Sequence, residues 1–150
     1  MAIVLLILDQ LTKIWASLSL KDASDIRVVD GFFHLSYVEN RGAAFSFLAD
    51  KSYGIYLLSS ISLIAIVLLV HFLKRSDVSR RREWILLILL SGALGNFIDR
   101  ILRNYVIDFL DFRFGSYHFP TFNLADSYLC IAFALLFIDI LLTKDEVVNS

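Results

Sequence analysis

Carboxylates, amides and a lysine sit in stretches of this chain that are otherwise strongly apolar, and their spacing bounds the chemistry open to them. Asn123 and Asp126 are three apart in Phe119-Pro120-Thr121-Phe122-Asn123-Leu124-Ala125-Asp126, so on a helix they share a face. Asp108 lies upstream in Val106-Ile107-Asp108-Phe109, and the connection to Asp126 is short enough for the two carboxylates to meet. Two adjacent carboxyl groups in a low dielectric cannot both ionise comfortably; they share one proton and so supply an acid and a base together. The ionised member can deprotonate a water while the protonated one hydrogen-bonds a peptide carbonyl, the route to a tetrahedral diol without metal or covalent intermediate. Spacing leaves Asp99 and Asp111 as rivals for either place, because a helix end, a strand and a turn aim a carboxylate differently.

Other polar groups stand nearby in the pattern. Asp9 and Lys13 are an i,i+4 pair with the acid N-terminal, the better orientation, and their mutual neutralisation is reason enough for a membrane helix to keep them. In Gly92-Ala93-Leu94-Gly95-Asn96-Phe97-Ile98-Asp99-Arg100 the glycines permit close helix approach, Asn96 and Asp99 share a face, and Arg100 can orient a substrate or anchor the span at an interface. Asn40-Arg41-Gly42-Ala43-Ala44-Phe45 reads either as a close approach to a bound chain or as a plain turn. Asn123 suits an N-cap and Asp126 the positive end of a helix as well as they suit catalysis. Asp139 is read as an interfacial acid served by Lys144. His34, His71 and His118 form no H-E-x-x-H pattern and Ser91-Gly92 no G-x-S-x-G elbow, which argues against zinc proteolysis and a serine nucleophile; the site needs no metal or cofactor.

The elements that must position these groups are membrane spans. The chain is 58% hydrophobic and 19% charged with a mean hydropathy of +0.71, far from the composition of soluble domains, and a net charge of -1 gives nucleic acid no basic surface. Four stretches reach spanning length: Met1 to Leu18, Tyr53 to Leu73, Trp84 to Leu102 and Phe122 to Leu142. The first lacks the basic flank of a secretory signal and carries Asp9 mid-run. Lys74, Arg75, Arg80, Arg81 and Arg82 between spans two and three place that loop, and with it both termini, on the cytoplasmic side. The segments Ser19 to Ser52 and Arg103 to Thr121 then face outward. Asp30-Gly31 between Val28 and Phe33, followed by alternation through Val38, suggests a hairpin; Gly115-Ser116 amid Phe112, Phe114, Tyr117 and Phe119 marks either a second hairpin or an aromatic belt. Such strands must lie in the interface or against the bundle, since open edges are not tolerated in hydrocarbon. Cys130 has no partner for a disulfide, and residues 1–150 read as a single membrane-embedded domain.

Taken together, Asp9-Gln10-Leu11-Thr12-Lys13, the Asn40 to Phe45 block, Gly95-Asn96-Phe97-Ile98-Asp99-Arg100, Val106-Ile107-Asp108-Phe109 and Phe119 to Asp126 resemble bacterial lipoprotein signal peptidase, or signal peptidase II, from the first span to the fourth. The resemblance implies four transmembrane helices with a small extracytoplasmic β-sheet cradle. It implies an aspartyl endopeptidase of the bacterial cytoplasmic membrane, acting at the outer face and functional as a monomer in membrane lipid. Its substrate would be a lipidated prolipoprotein signal peptide, cut before the diacylglyceryl-modified cysteine. Asp108 and Asp126 take the family's catalytic positions, and Asp9, Lys13, Asn40, Asn96, Asp99, Arg100 and Asn123 its supporting or substrate-contacting ones. Asn104 stands where many members have Gly before V-x-D-F, a residue still suited to a left-handed backbone. Without that resemblance, buried Asp, Asn and Lys would also suit an ion- or proton-coupled transporter, or a lipid-binding subunit whose acids serve packing alone.

Overall fold

The computed structural model describes residues 1–42 and 53–148, with side chains to 143. Among the described residues, four helices are long and apolar enough to cross a membrane: α1 (Ala2–Ser19), α2 (Gly54–Leu73), α3 (Arg80–Arg103) and α4 (Leu124–Val148). They match the four expected spans, with two extensions. Helix α3 begins at Arg80 because Ser79 caps it, its hydroxyl accepting from the Arg82 N–H at 3.3 Å; α4 runs on past Leu142. Helix α3 is the axis of the bundle and packs against α1, α2 and α4.

Two glycines make that possible. A Cβ on Gly92 would lie 2.6 Å from the Ala125 carbonyl oxygen and 2.8 Å from Leu129 Cγ, and one on Gly95 would lie 2.4 Å from Asp9 Oδ2. In lipid the drive for association comes from close packing and interhelical hydrogen bonds, so small residues on the crossing face set how near the helices come.

Between the helices run four antiparallel strands in spatial order β1-β2-β3-β4: β1 (Ile26–Val29), β2 (Phe33–Asn40), β3 (Val106–Phe114) and β4 (Tyr117–His118). The first hairpin turns at Asp30-Gly31-Phe32 with Gly31 at φ 67°, and the second at Gly115, φ 61°, which decides for a hairpin over an isolated aromatic belt. Strand β3 is buried on both faces over Val106–Phe109. Alternation sends Ile107 and Phe109 into a core with Ala16 of α1 and Leu20 at its C-terminal cap, and leaves Val106 and Asp108 on the opposite side. The sheet thus packs on the helix bundle.

The chain reaches β3 through Asn104, which closes α3 in the left-handed region at φ 61°, its N–H donating to the Arg100 carbonyl. It leaves by pairing back on the strand: the Phe109 and Leu110 N–H groups donate to the Phe122 carbonyl at 3.0 and 2.8 Å, and the Phe122 N–H donates to the Leu110 carbonyl. Phe122 stacks on Phe112, which stacks on Phe33.

Gly95→Ala puts a methyl group against a carboxylate that is itself locked in place. It is expected to lower stability by about 1–3 kcal/mol, read as a fall in thermal midpoint in detergent; an unchanged midpoint would contradict the packing described for α1 and α3.

Candidate active site

Asp9 and Lys13 face inward from α1, fully buried, and their pairing at 3.0 Å is only part of their bonding. The Lys13 ammonium spends its three protons on Asp9 Oδ2, on Asp99 Oδ2 at 3.1 Å and on Asn96 Oδ1 at 3.0 Å. Asp99 also accepts from Gln10, Arg103 and the Ile107 N–H, while Asp9 Oδ1 accepts from the Ala125 N–H in the first turn of α4. These bonds fix three helices and the start of β3 relative to one another.

Because the Asn96 oxygen is held by Lys13, its amide nitrogen is turned outward and donates to Asp126 Oδ1 at 2.7 Å. Asn123 and Asp126 form a reciprocal cap: the Asn123 side-chain oxygen accepts from the Asp126 N–H at 3.0 Å, and Asp126 Oδ2 accepts from the Asn123 N–H at 3.2 Å. The Asn123 amide nitrogen remains free of the cap and donates to Asp108 Oδ1 at 2.7 Å and to Asn96 Oδ1 at 3.2 Å. Asn40, at the end of β2, donates to Asp108 Oδ2 at 2.8 Å and turns its own oxygen to the Gly42 N–H. Asn123 therefore ties the two carboxylates together, each also held by an amide from a different element.

Asp108 and Asp126 line one cavity of about 470 Å³ with Asn40, Asn96 and Arg100. Its remaining walls are mostly apolar and include Phe119, Phe122, Leu129 and Phe133. Burial pushes the Asp108 carboxyl up to about 7; the Asp126 charge adds to the rise, and the Asn40 and Asn123 amides oppose it. Near neutrality this arrangement offers a proton donor beside a carboxylate, with polar groups converging on an apolar pocket.

The rivals are otherwise engaged. Asp99 is spent on Lys13, Gln10, Arg103 and β3, and Asp111 binds Ser36 at 3.0 Å and Arg113. Arg100 lines the cavity. Asp139 is a satisfied acid. It is held by Arg81 and by Arg82 at 2.6 Å, because the early start of α3 brings that basic turn against α4; the Lys144 side chain lies outside the described residues. Ala43 to Phe45 of the Asn40 block also lie outside them. Gln10 and Arg103 were not singled out from sequence, although Arg103 stands at i+4 from Asp99 on a helix and that spacing was readable.

The profile described as signal peptidase (SPase) II matches residues 1–142. The chain belongs to the signal peptidase II family. A lipoprotein signal peptidase of Geobacter sulfurreducens is 45% identical over 137 residues, covering 91% of this chain and 86% of that protein. One of Bacillus pumilus is 40% identical over 150 residues, covering 99% and 95%. Two solved structures, each described as a bacterial membrane enzyme, superpose with TM-scores of 0.85 and 0.80 at 33% and 35% identity; the first covers 97% of this chain and 87% of its own. Membership accords with a multi-pass bacterial membrane protein.

The raised Asp108 value has a sign that can be measured. The folded chain keeps this proton up to about pH 7, the unfolded chain only to 3.8, so the stability it confers is full below the lower value and lost as pH rises through the higher. Relative to Asp108→Asn, the parent should lose about 2–4 kcal/mol between those limits, followed by unfolding midpoints against pH; parallel curves would refute the shift.

Proposed function

We propose that this chain is an intramembrane aspartyl endopeptidase that removes the signal peptide from diacylglyceryl-modified prolipoproteins, cutting immediately before the lipidated cysteine. The observation that carries the reading is the placement of Asp108 and Asp126 around one pocket, bridged by Asn123, in a member of the signal peptidase II family. The apolar walls of that pocket suit a substrate that is part lipid.

In the proposed reaction the ionised member of the pair takes a proton from water as the water oxygen bonds to the scissile carbonyl carbon. The protonated member gives its proton to the carbonyl oxygen, forming the diol. On collapse the first carboxyl passes its proton to the peptide nitrogen, the second takes a diol proton, and the C–N bond breaks to a carboxylic acid and an amine. The pair begins and ends with one proton, which belongs to the pair rather than to either residue. Asn40, Asn96 and Asn123 hold the two acids, and Arg100 supports charge developing on the substrate. Lys13, itself held by Asp9 and Asp99, holds Asn96. The mechanism uses no metal or cofactor, and the whole chain acts as one domain and as a monomer, without nucleic acid.

Orientation follows from charge. The basic turn with Arg80, Arg81 and Arg82 lies at the opposite end of α3 from Asn96, so a cytoplasmic α2–α3 loop puts both termini inside and the pocket and sheet at the outer face of the cytoplasmic membrane. An exported signal peptide presents its cleavage site there.

The test is cleavage of a diacylglyceryl-modified prolipoprotein by purified protein in detergent with excess chelator. The parent and Asp111→Asn should cleave, with a rate falling on both limbs of the pH profile, while Asp108→Asn and Asp126→Asn should lose at least about a hundredfold and still bind the lipopeptide. Cleavage abolished by chelator, or retained in either dyad variant, would overturn the assignment. A folded parent that binds without cleaving would favour a lipid-binding subunit.

A further inference from the structure

At the other end of the bundle from the paired acids, α3 and α4 enclose a second, almost wholly apolar groove of about 290 Å³. Trp84, Ile85 and Ile88 form one wall and Leu135, Ile138 and Leu142 the other. Both helices are spanning helices, so whatever lies along this groove is acyl chain or another apolar segment.

The mouth of the groove is charged. Arg81 and Arg82 both bind Asp139, whose side chain is only 1% exposed, and the same turn of α3 carries Arg80 and Glu83, so among the described side chains three guanidinium groups face two carboxylates and one unit of positive charge is left over. That excess is accessible, since the Arg81 side chain is 56% exposed, and Arg80 adjoins it on the same helical turn. A long apolar slot topped by uncompensated positive charge at headgroup depth has the complementarity of a lipid with a negative headgroup. A zwitterionic lipid would fill the slot equally well but gain nothing from the net charge, and a second protein helix would leave the charge unanswered.

We propose that this α3–α4 groove is a binding site for an anionic phospholipid, its phosphate held at Arg81 and Arg80 and one acyl chain laid along Trp84, Ile88 and Ile138. Asp139 then has a purpose beyond neutralisation. It holds the Arg81 guanidinium at the mouth of the groove instead of letting it extend into solvent.

Trp84 is a reporter already in place. In the Trp15→Phe background, which keeps an aromatic ring against Phe109, the full chain is reconstituted in phosphatidylcholine vesicles containing a minor fraction of brominated phosphatidylglycerol or of brominated phosphatidylcholine with the same chains. Trp84 quenching by the anionic lipid should exceed that by the zwitterionic one by about fivefold in apparent affinity, in line with the attraction of one basic residue for an anionic headgroup. Arg81→Gln, in which Arg82 still pairs with Asp139, should bring the ratio close to one. Arg75→Gln removes the same charge from the adjacent loop, where Arg75 is paired with Asp77, and should leave the ratio unchanged. Equal quenching by the two lipids in the parent would overturn the proposal. So would equal effects of Arg75→Gln and Arg81→Gln, which would assign the preference to loop charge at large, or quenching lost as protein density rises, which would put a second copy in the groove. The parent with both tryptophans gives the same comparison from its quenchable fraction if Trp15→Phe does not fold.

Discussion

A buried lysine in a bundle of membrane helices must find an acceptor for every proton, and the rest of this structure depends on how Lys13 does so. Its three acceptors come from α1 and α3, and each reports to a further element: Asp9 to the first turn of α4, Asp99 to the start of β3, and Asn96 to Asp126. The desolvation cost of such a group is large, and it is tolerable only because each of its three protons meets an acceptor. What the cluster secures is specificity of arrangement. One ammonium group sets the register of three helices and a strand, and decides which way the Asn96 amide points.

The same economy holds at the head of α4. A helix N-terminus in a membrane protein must satisfy its free N–H groups without water, and here Asn123, Asp126 and Asp9 do so. The cap leaves Asp126 in one orientation, with one oxygen on the backbone and the other on Asn96, and leaves the Asn123 amide free to reach Asp108. Capping and the proposed catalysis are thus not rival explanations of these residues; the cap is the means by which the acid is aimed. Its partner is aimed by different physics: the left-handed turn at Asn104, the two-sided burial of β3 and the bridge at Phe122.

Much of this was legible in the sequence because in a membrane chain every polar residue stands out. The four spans follow from hydropathy, the close approach at Gly92 and Gly95 from their size, the hairpin turns from Asp30-Gly31 and Gly115-Ser116, and the left-handed Asn104 from its type. Helical spacing gave Asp9 with Lys13 and Asn123 with Asp126. It could not choose Asp108 over Asp99 or Asp111, because that choice rests on the face of β3 each residue occupies and on competition from Lys13, Arg103 and Arg113, which are tertiary facts. The Arg81 and Arg82 partners of Asp139 are a tertiary fact of the same kind, since the packing of α3 on α4 brings them to it.

The central claim is that Asp108 and Asp126 hold one proton between them. Infrared difference spectra of the folded protein across pH test this most directly, with the protonated carboxyl stretch assigned by comparing the parent with each asparagine variant. The account predicts a single protonated carboxyl near neutrality that titrates at about pH 7, vanishes in Asp108→Asn and shifts to lower pH in Asp126→Asn, where the neighbouring negative charge is gone. Absence of a protonated carboxyl at neutral pH, or a band indifferent to both substitutions, would contradict it.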